Sequence, residues 1–389
     1  MTPAARLAAA IDLLDAILAG APAERVLTNW GRSNRFAGSG DRAAVRDLVF
    51  DALRCRGSFA ALGGGLTGRG LMLGLCRAEG RDPEALFTGL GHAPAPLAAA
   101  EKAHLAAPAP APEELRASDW PNWLLPQLRT DLGADFAPVS ARMQARAPVF
   151  LRVNTAKTTR DAAQAALAAE GIETAPHPLA ATALEVSSGA RKLSKSHAYE
   201  TGLVELQDAA SQAMLALMPL APGARVLDYC AGGGGKALAL AAACPEAKIT
   251  AHDIDAARMR DIAPRAKRAG ARITLAQPGQ VTGTFDLVLV DAPCSGSGTW
   301  RRAPEAKWAL TPARLAELTA LQGEILARAA GFVAPGGRLC YMTCSLLAVE
   351  NEAQVAAFTA QGLWHSLRAL RLTPCEGGDG FFGAVLARV

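Results

Sequence analysis

The chain is 389 residues long, more than one ordinary hydrophobic core supports, so two or three domains are expected. Half of its residues are hydrophobic and its formal net charge is only +4, which permits contact with nucleic acid without requiring it. Eight cysteines with no C-x-x-C pair and no Cys/His cluster at zinc spacing argue against a metal site or a disulfide scaffold.

In chain order, Leu7, Ile11, Leu14 and Leu18 fall at helical spacing, with Asp12 and Asp15 on the other face. Arg6, Asp12 and Asp15 interrupt the apolar stretch from Ala4 to Gly20, so neither a signal peptide nor a membrane span is expected. Free thiols without a secretion signal point to the cytoplasm. A second amphipathic segment, Asp41 to Arg56, combines Val45, Leu48, Val49 and Leu53 with Arg42, Arg46 and Arg54. Residues 1–92 read as an all-helical domain. Residues 93–117 are rich in alanine and proline and read as a stiff linker without a core.

Residues 118–200 read as a small α/β block: a helix near Trp123 to Leu128, a strand at Phe150 to Asn154, a helix at Thr159 to Glu170 and a strand at Ala183 to Val186. Its basic residues, Arg152, Lys157, Arg160, Arg191, Lys192 and Lys195, form either a solvated face or a grip on phosphates. From residue 201 to 389 strands and helices alternate. Strands are expected at Arg225 to Tyr229, Lys248 to His252, Arg272 to Leu275, Phe285 to Val290, Arg338 to Thr343 and Phe381 to Ala387. The helices between them are expected at Lys236 to Ala243, Asp255 to Ala269, Thr311 to Gly331 and Val349 to Gln361. Repeated βα units predict a doubly wound, Rossmann-like α/β sheet with right-handed crossovers.

The first of these strands feeds Cys230-Ala231-Gly232-Gly233-Gly234-Gly235-Lys236 and then a helix. Glycines let the backbone approach a ligand, and a helix N-terminus offers free amides. About twenty residues on, Asp253 ends the next strand, at the offset of a ribose-binding acid. This pattern alone suits NAD and S-adenosylmethionine equally.

The buried run Leu287 to Val290 stops at Asp291, and Ala292-Pro293-Cys294 follows. The strand Arg338 to Thr343 ends in Cys344-Ser345, on the same edge of the sheet. Two thiols and a carboxylate at neighbouring strand ends suit few reactions, and hydride transfer needs none of them. Methylation at carbon 5 of a pyrimidine does: a thiolate must add to carbon 6 before carbon 5 becomes nucleophilic. An acid near ring nitrogen 3 stabilises the charge that develops there.

Together these motifs, with Leu151-Arg152-Val153-Asn154-Thr155, Gln207 to Ser211 and Gly378-Asp379-Gly380-Phe381-Phe382, resemble the Nop/Sun family of RNA cytosine carbon-5 methyltransferases, its RsmB-like branch. The resemblance implies a class I methyltransferase domain over 201–389, a small RNA-binding α/β block over 118–200 and a NusB-like RNA-binding domain over 1–92. It implies Cys344 as nucleophile, Cys294 in product release and Asp291 beside cofactor and cytosine. Cys230, Ala231, Gly232, Gly233, Gly234, Gly235, Lys236, Asp253 and Asp291 would hold S-adenosylmethionine. The partner would be RNA, in the small ribosomal subunit, and the enzyme a cytoplasmic monomer needing neither metal nor membrane. Arg152, Arg301, Arg302 and Lys307 are expected to touch the RNA, with Trp308 beside them.

The chain departs from the family pattern in two places. Gly233-Gly234-Gly235 replaces the usual Pro-Gly-Gly, and Ala276-Gln277-Pro278-Gly279-Gln280 holds no acid where one normally contacts the adenine side. Gln277 or Gln280 is the expected substitute. The rival readings are a non-catalytic RNA-binding assembly factor that keeps the fold, and a nicotinamide-dependent dehydrogenase resting on the glycine pattern alone. Cys340, Cys55, Cys76, Cys244 and Cys375 read as small core hydrophobes, and the six histidines form no ligand or triad grouping.

Overall fold

A Thr2 hydroxyl that accepts from the Ala5 amide at 3.1 Å, followed by Pro3, starts the first helix, Pro3–Leu18. The structure, a computed structural model, describes residues 1–218 and 220–389, which divide into two compact units.

The first unit comprises residues 1–146 and 300–309 and is helical. The first helix buries Leu7, Ala10, Leu13, Leu14 and Ile17 against Val45, Val49 and Leu53 of the helix Ser39–Arg54. That stripe is rotated slightly from the predicted one, leaving Ile11 and Leu18 at its margin. No single helix among the described residues is long and apolar enough to cross a membrane.

One expectation is corrected here. Residues 93–117 are not a coreless linker, because the alanines propagate a helix, Ala99–Ala106, and Pro112 begins another, Pro112–Ser118. Glu101 pairs with Arg69 at 2.7 Å and a ring nitrogen of His104 lies 3.0 Å from the Ala61 carbonyl, tying this stretch down. Residues 118–146 pack within the helical unit, where the buried Trp120 donates to the Ser140 hydroxyl at 2.8 Å.

Residues 300–309 correct the expected RNA contacts. Lys307 is buried and donates to the Arg54 carbonyl at 2.9 Å, and Trp308 donates to the Leu53 carbonyl at 2.7 Å. Arg301 is buried too, its carbonyl accepting from Arg54 at 2.7 Å. Burial pulls the Lys307 ammonium down to about 8, although the Asp119 carboxylate opposes this. Arg301 and Lys307 therefore serve packing, and Arg302 alone of the three is exposed.

The second unit comprises residues 147–299 and 310–389. It opens with a four-stranded antiparallel sheet of order β2-β3-β1-β4, formed by β1 (Val149–Val153), β2 (Glu173–Pro176), β3 (Ala183–Ser188) and β4 (Val204–Leu206). The Arg152 side chain is buried, donating to Gln207 Oε1 at 2.5 Å and to the Gly235 carbonyl at 2.9 Å. This corrects its expected role as well: it ties β1 to the glycine loop and is not presented to a ligand.

A seven-stranded sheet follows, of β5 (Arg225–Asp228), β6 (Lys248–His252), β7 (Ile273–Ala276), β8 (Phe285–Asp291), β9 (Val333–Thr343), β10 (Trp364–Leu372) and β11 (Phe381–Arg388). Its order is β10-β11-β9-β8-β5-β6-β7, and β11 is antiparallel to its neighbours. The chain reverses its direction of travel across the sheet between β5 and β8, and the crevice of such a sheet lies at that point, beyond the carboxyl ends of the strands. Val226, Ile249, Leu287 and Met342 fill one face, and Leu227, Val288, Val290 and Tyr341 the other. Fully burying each such side chain stabilises by roughly 1.5–3 kcal/mol. Cys340 is in this core, but Cys375 is exposed, against expectation.

Candidate active site

β5 ends at Asp228 because the chain must turn there into the helix Gly235–Ala243. Gly234 makes that turn at φ +78°, and a Cβ on it would lie 2.8 Å from Ile262, so only glycine fits. One Asp228 oxygen accepts from the Ala237 amide at 3.1 Å, while the other is buried with no hydrogen-bond partner. Burial, reinforced by the nearby Asp291 charge and opposed by Lys236, raises the Asp228 carboxyl to about 7.

Lys236, in the first turn of that helix, reaches Asp291 at the end of β8, with Nζ 2.5 Å from Oδ2. Burial acts to lower its pKa, but the charge and hydrogen bond of Asp291 outweigh burial and hold the ammonium above the usual lysine value. The register sets Asp291 against Met342 of β9, so Cys294 and Cys344 emerge from adjacent strand ends. Their sulfurs are 3.5 Å apart. Gly298 donates to the Cys344 carbonyl at 2.9 Å and accepts from Gly380 at 3.0 Å, so the Gly378–Gly380 turn braces the Cys294 loop.

These groups border one cleft of about 580 Å³, within the size range of ligand sites. Cys230, Ala231, Gly232, Gly233, Gly235, Lys236, Asp291, Cys294 and Cys344 all line it. Gly234 forms the turn behind it. Asp253 does not line it: its carboxylate accepts from the Gly232 and Asp255 amides at 2.9 and 3.0 Å and pairs with Arg258 at 3.1 Å. It shapes the loop from behind. Gln277 and Gln280 are exposed and outside the lining.

A methyl donor carrying a ribose, an ammonium and a carboxylate fits part of this set well. The unpartnered Asp228 oxygen suits the ammonium, and the glycine loop with the helix N-terminus suits the carboxylate. Sequence reasoning missed Asp228, the arginines Arg258, Arg265 and Arg314 on the cleft, and the buried Glu350 beneath the cysteines. The one available signal was a carboxylate, Glu350, soon after the apolar pair Leu346-Leu347.

Known proteins resemble this chain in sequence and in fold. The family described as 16S rRNA methyltransferase RsmB/F matches residues 214–386, and the ferredoxin-like domain of RsmF/B-like methyltransferases matches residues 120–191. The ribosomal RNA small subunit methyltransferase B of Klebsiella pneumoniae is 35% identical over 69% of this chain and 66% of its own length. That of Escherichia coli is 34% identical over 71% and 68%. The chain thus spans about two thirds of the length of these curated relatives. In fold it is similar to the crystal structure of PH0851, with a TM-score of 0.78 at 23% identity over 99% of both chains. A methyltransferase homologue from Pyrococcus horikoshii gives 0.61 at 24% identity over 71% of this chain and 97% of its own.

Proposed function

The chain belongs to the RsmB/F family of S-adenosylmethionine-dependent RNA methyltransferases, and from that premise we propose that it methylates carbon 5 of a cytosine in small-subunit ribosomal RNA through a covalent cysteine adduct. The observation that carries this reading is the pair of thiols 3.5 Å apart beside the Lys236–Asp291 pair. S-adenosylmethionine, held by Cys230 to Lys236 and Asp228, supplies an electrophilic methyl group.

The Cys344 thiolate donates an electron pair to carbon 6, forming a sulfur–carbon bond, and the displaced ring electrons collect toward nitrogen 3. A proton passed from the Lys236 ammonium by way of Asp291 to nitrogen 3 offsets that charge, and returns when carbon 5 attacks the methyl group. Carbon 5 is then nucleophilic. After it gains a methyl group, its proton leaves to a base, the carbon 6–sulfur bond breaks with the aid of Cys294, and its electrons return to Cys344. The cytosine must be unstacked to enter, as for other enzymes that act on a base. This reading makes the protein cytoplasmic, where its ribosomal substrate is found.

Methylation of small-subunit ribosomal RNA, followed by bisulfite sequencing, tests it. Cys344→Ala should abolish the modified cytosine, and methylation that survives this substitution would overturn the assignment. One observation favours a second reading, an RNA-binding assembly factor: Asp253, the acid expected on the cofactor ribose, is engaged by Gly232 and Arg258 instead. Calorimetry with S-adenosylmethionine discriminates, since the enzyme must bind it and a scaffold need not.

A further inference from the structure

Among the described residues, four cations line the cleft: Lys236, Arg258, Arg265 and Arg314. The first three are engaged by carboxylates built into the fold. Lys236 pairs with Asp291 at 2.5 Å and Arg258 with the buried Asp253 at 3.1 Å. Arg265 pairs with the buried Glu205 at 3.5 Å and also donates to the Gly233 carbonyl. Arg314 is held differently. Its carboxylate partner, Glu317 at 2.8 Å, lies three residues along the same helix, and both side chains are more than half exposed. An exposed pair of this kind contributes little, so a competing anion readily takes the place of Glu317.

The helix Pro312–Ala330 sets where Arg314 stands. Arg314, Leu318 and Gln322 recur every four residues and share one helix face. Gln322 is completely buried and donates to the Pro293 carbonyl at 3.0 Å and to Glu350 Oε1 at 3.1 Å. Glu350 in turn accepts from the Ser295 amide at 2.8 Å, so this level of the helix is fixed to the Cys294 loop on both sides of the thiol. Leu318, one turn earlier, is a buried part of the cleft wall. Arg314, a further turn out, is exposed. Eight residues, about 12 Å of helix, thus lead from the support of the cysteine loop to the rim of the cleft.

S-adenosylmethionine has a carboxylate, suited to the glycine loop, and no phosphate. A target nucleotide supplies what it lacks. An unstacked cytosine reaches the thiols base first, and its backbone phosphates stay outside, at the rim. Resting on the reading that a cytosine of RNA enters this cleft, we propose that Arg314 is a substrate-binding residue that takes a phosphate of the target nucleotide's backbone, giving up Glu317 as the base enters. A planar guanidinium bonds two phosphate oxygens at once, and on a helix anchored at Pro293 it fixes the side from which the base approaches Cys294 and Cys344.

The test compares binding of transcribed small-subunit ribosomal RNA to the full-length protein and to two variants over a salt series. Arg314→Ala should weaken binding on the order of tenfold at low salt and reduce the slope of log affinity against log salt by about one. Glu317→Ala frees the arginine and should bind at least as tightly as the parent. Calorimetry with S-adenosylmethionine should give the parent affinity for both variants. An unchanged salt slope in Arg314→Ala overturns the proposal. So does a loss in Glu317→Ala equal to that in Arg314→Ala, which would confine the pair to helix stability, and so does loss of S-adenosylmethionine binding in Arg314→Ala, which would place the residue on the cofactor. Binding is read without turnover, so none of these results touches the cysteine mechanism, which has its own test in the loss of methylation by Cys344→Ala.

Discussion

Asp228 shows how one residue carries an electrostatic cost for the sake of a site. Its carboxyl titrates near 7 in the folded chain, against an ordinary value of 3.8. Below about pH 4 it is protonated both folded and unfolded and costs nothing; above about pH 7 it is ionised in both, and the folded state bears the full penalty. Stability from this group therefore falls as pH rises between those limits, by on the order of 4 kcal/mol at about 1.4 kcal/mol per unit. Asp228→Asn keeps the acceptor for Ala237 and abolishes the titration. The variant should thus gain on the parent in melting temperature between pH 4 and pH 8; parallel curves would contradict the argument. Cys294, Cys344, Asp291 and Lys236 were legible in the sequence, because each ends a strand or opens a helix within a recognisable motif. Asp228 and Glu350 were not, since their roles depend on burial and on partners such as Ser295, 55 residues from Glu350.

Among the elements, the parallel strands were legible because each is a short aliphatic run stopped by a turn. β10 was missed: its solvent-facing stretch includes His365, Ser366 and Arg368, which hides the strand among polar residues. The helix expected from Asp255 to Ala269 is interrupted. Asp255 caps a short turn, Ala256–Met259, and the regular helix starts only at Ile262. This break lets Ile262 pack under the glycine loop, where Gly234 approaches it. Gly234→Ala would force a left-handed residue with a Cβ against Ile262, costing about 1–3 kcal/mol. It should also weaken S-adenosylmethionine binding measured by calorimetry, while native binding in a variant of native stability would contradict a close-packed turn.

Across the whole molecule, several basic residues that read as RNA contacts serve internal packing, because a modest net charge says nothing about which cations face solvent. Arg152 joins β1 to Gln207 and to the glycine loop, and burial lowers its pKa to about 10. Arg152→Ala should destabilise the fold by about 2–4 kcal/mol through its lost partners and packing. It should leave the salt dependence of RNA binding unchanged, whereas a phosphate contact would reduce that slope by about one. The covalent mechanism itself is tested most directly by incubating Cys294→Ala with small-subunit ribosomal RNA and S-adenosylmethionine, then mapping any protein–RNA adduct by mass spectrometry. An accumulated adduct on Cys344, carrying a methylated cytosine, is the predicted result. An adduct on another residue, or full turnover with none detectable, would contradict it.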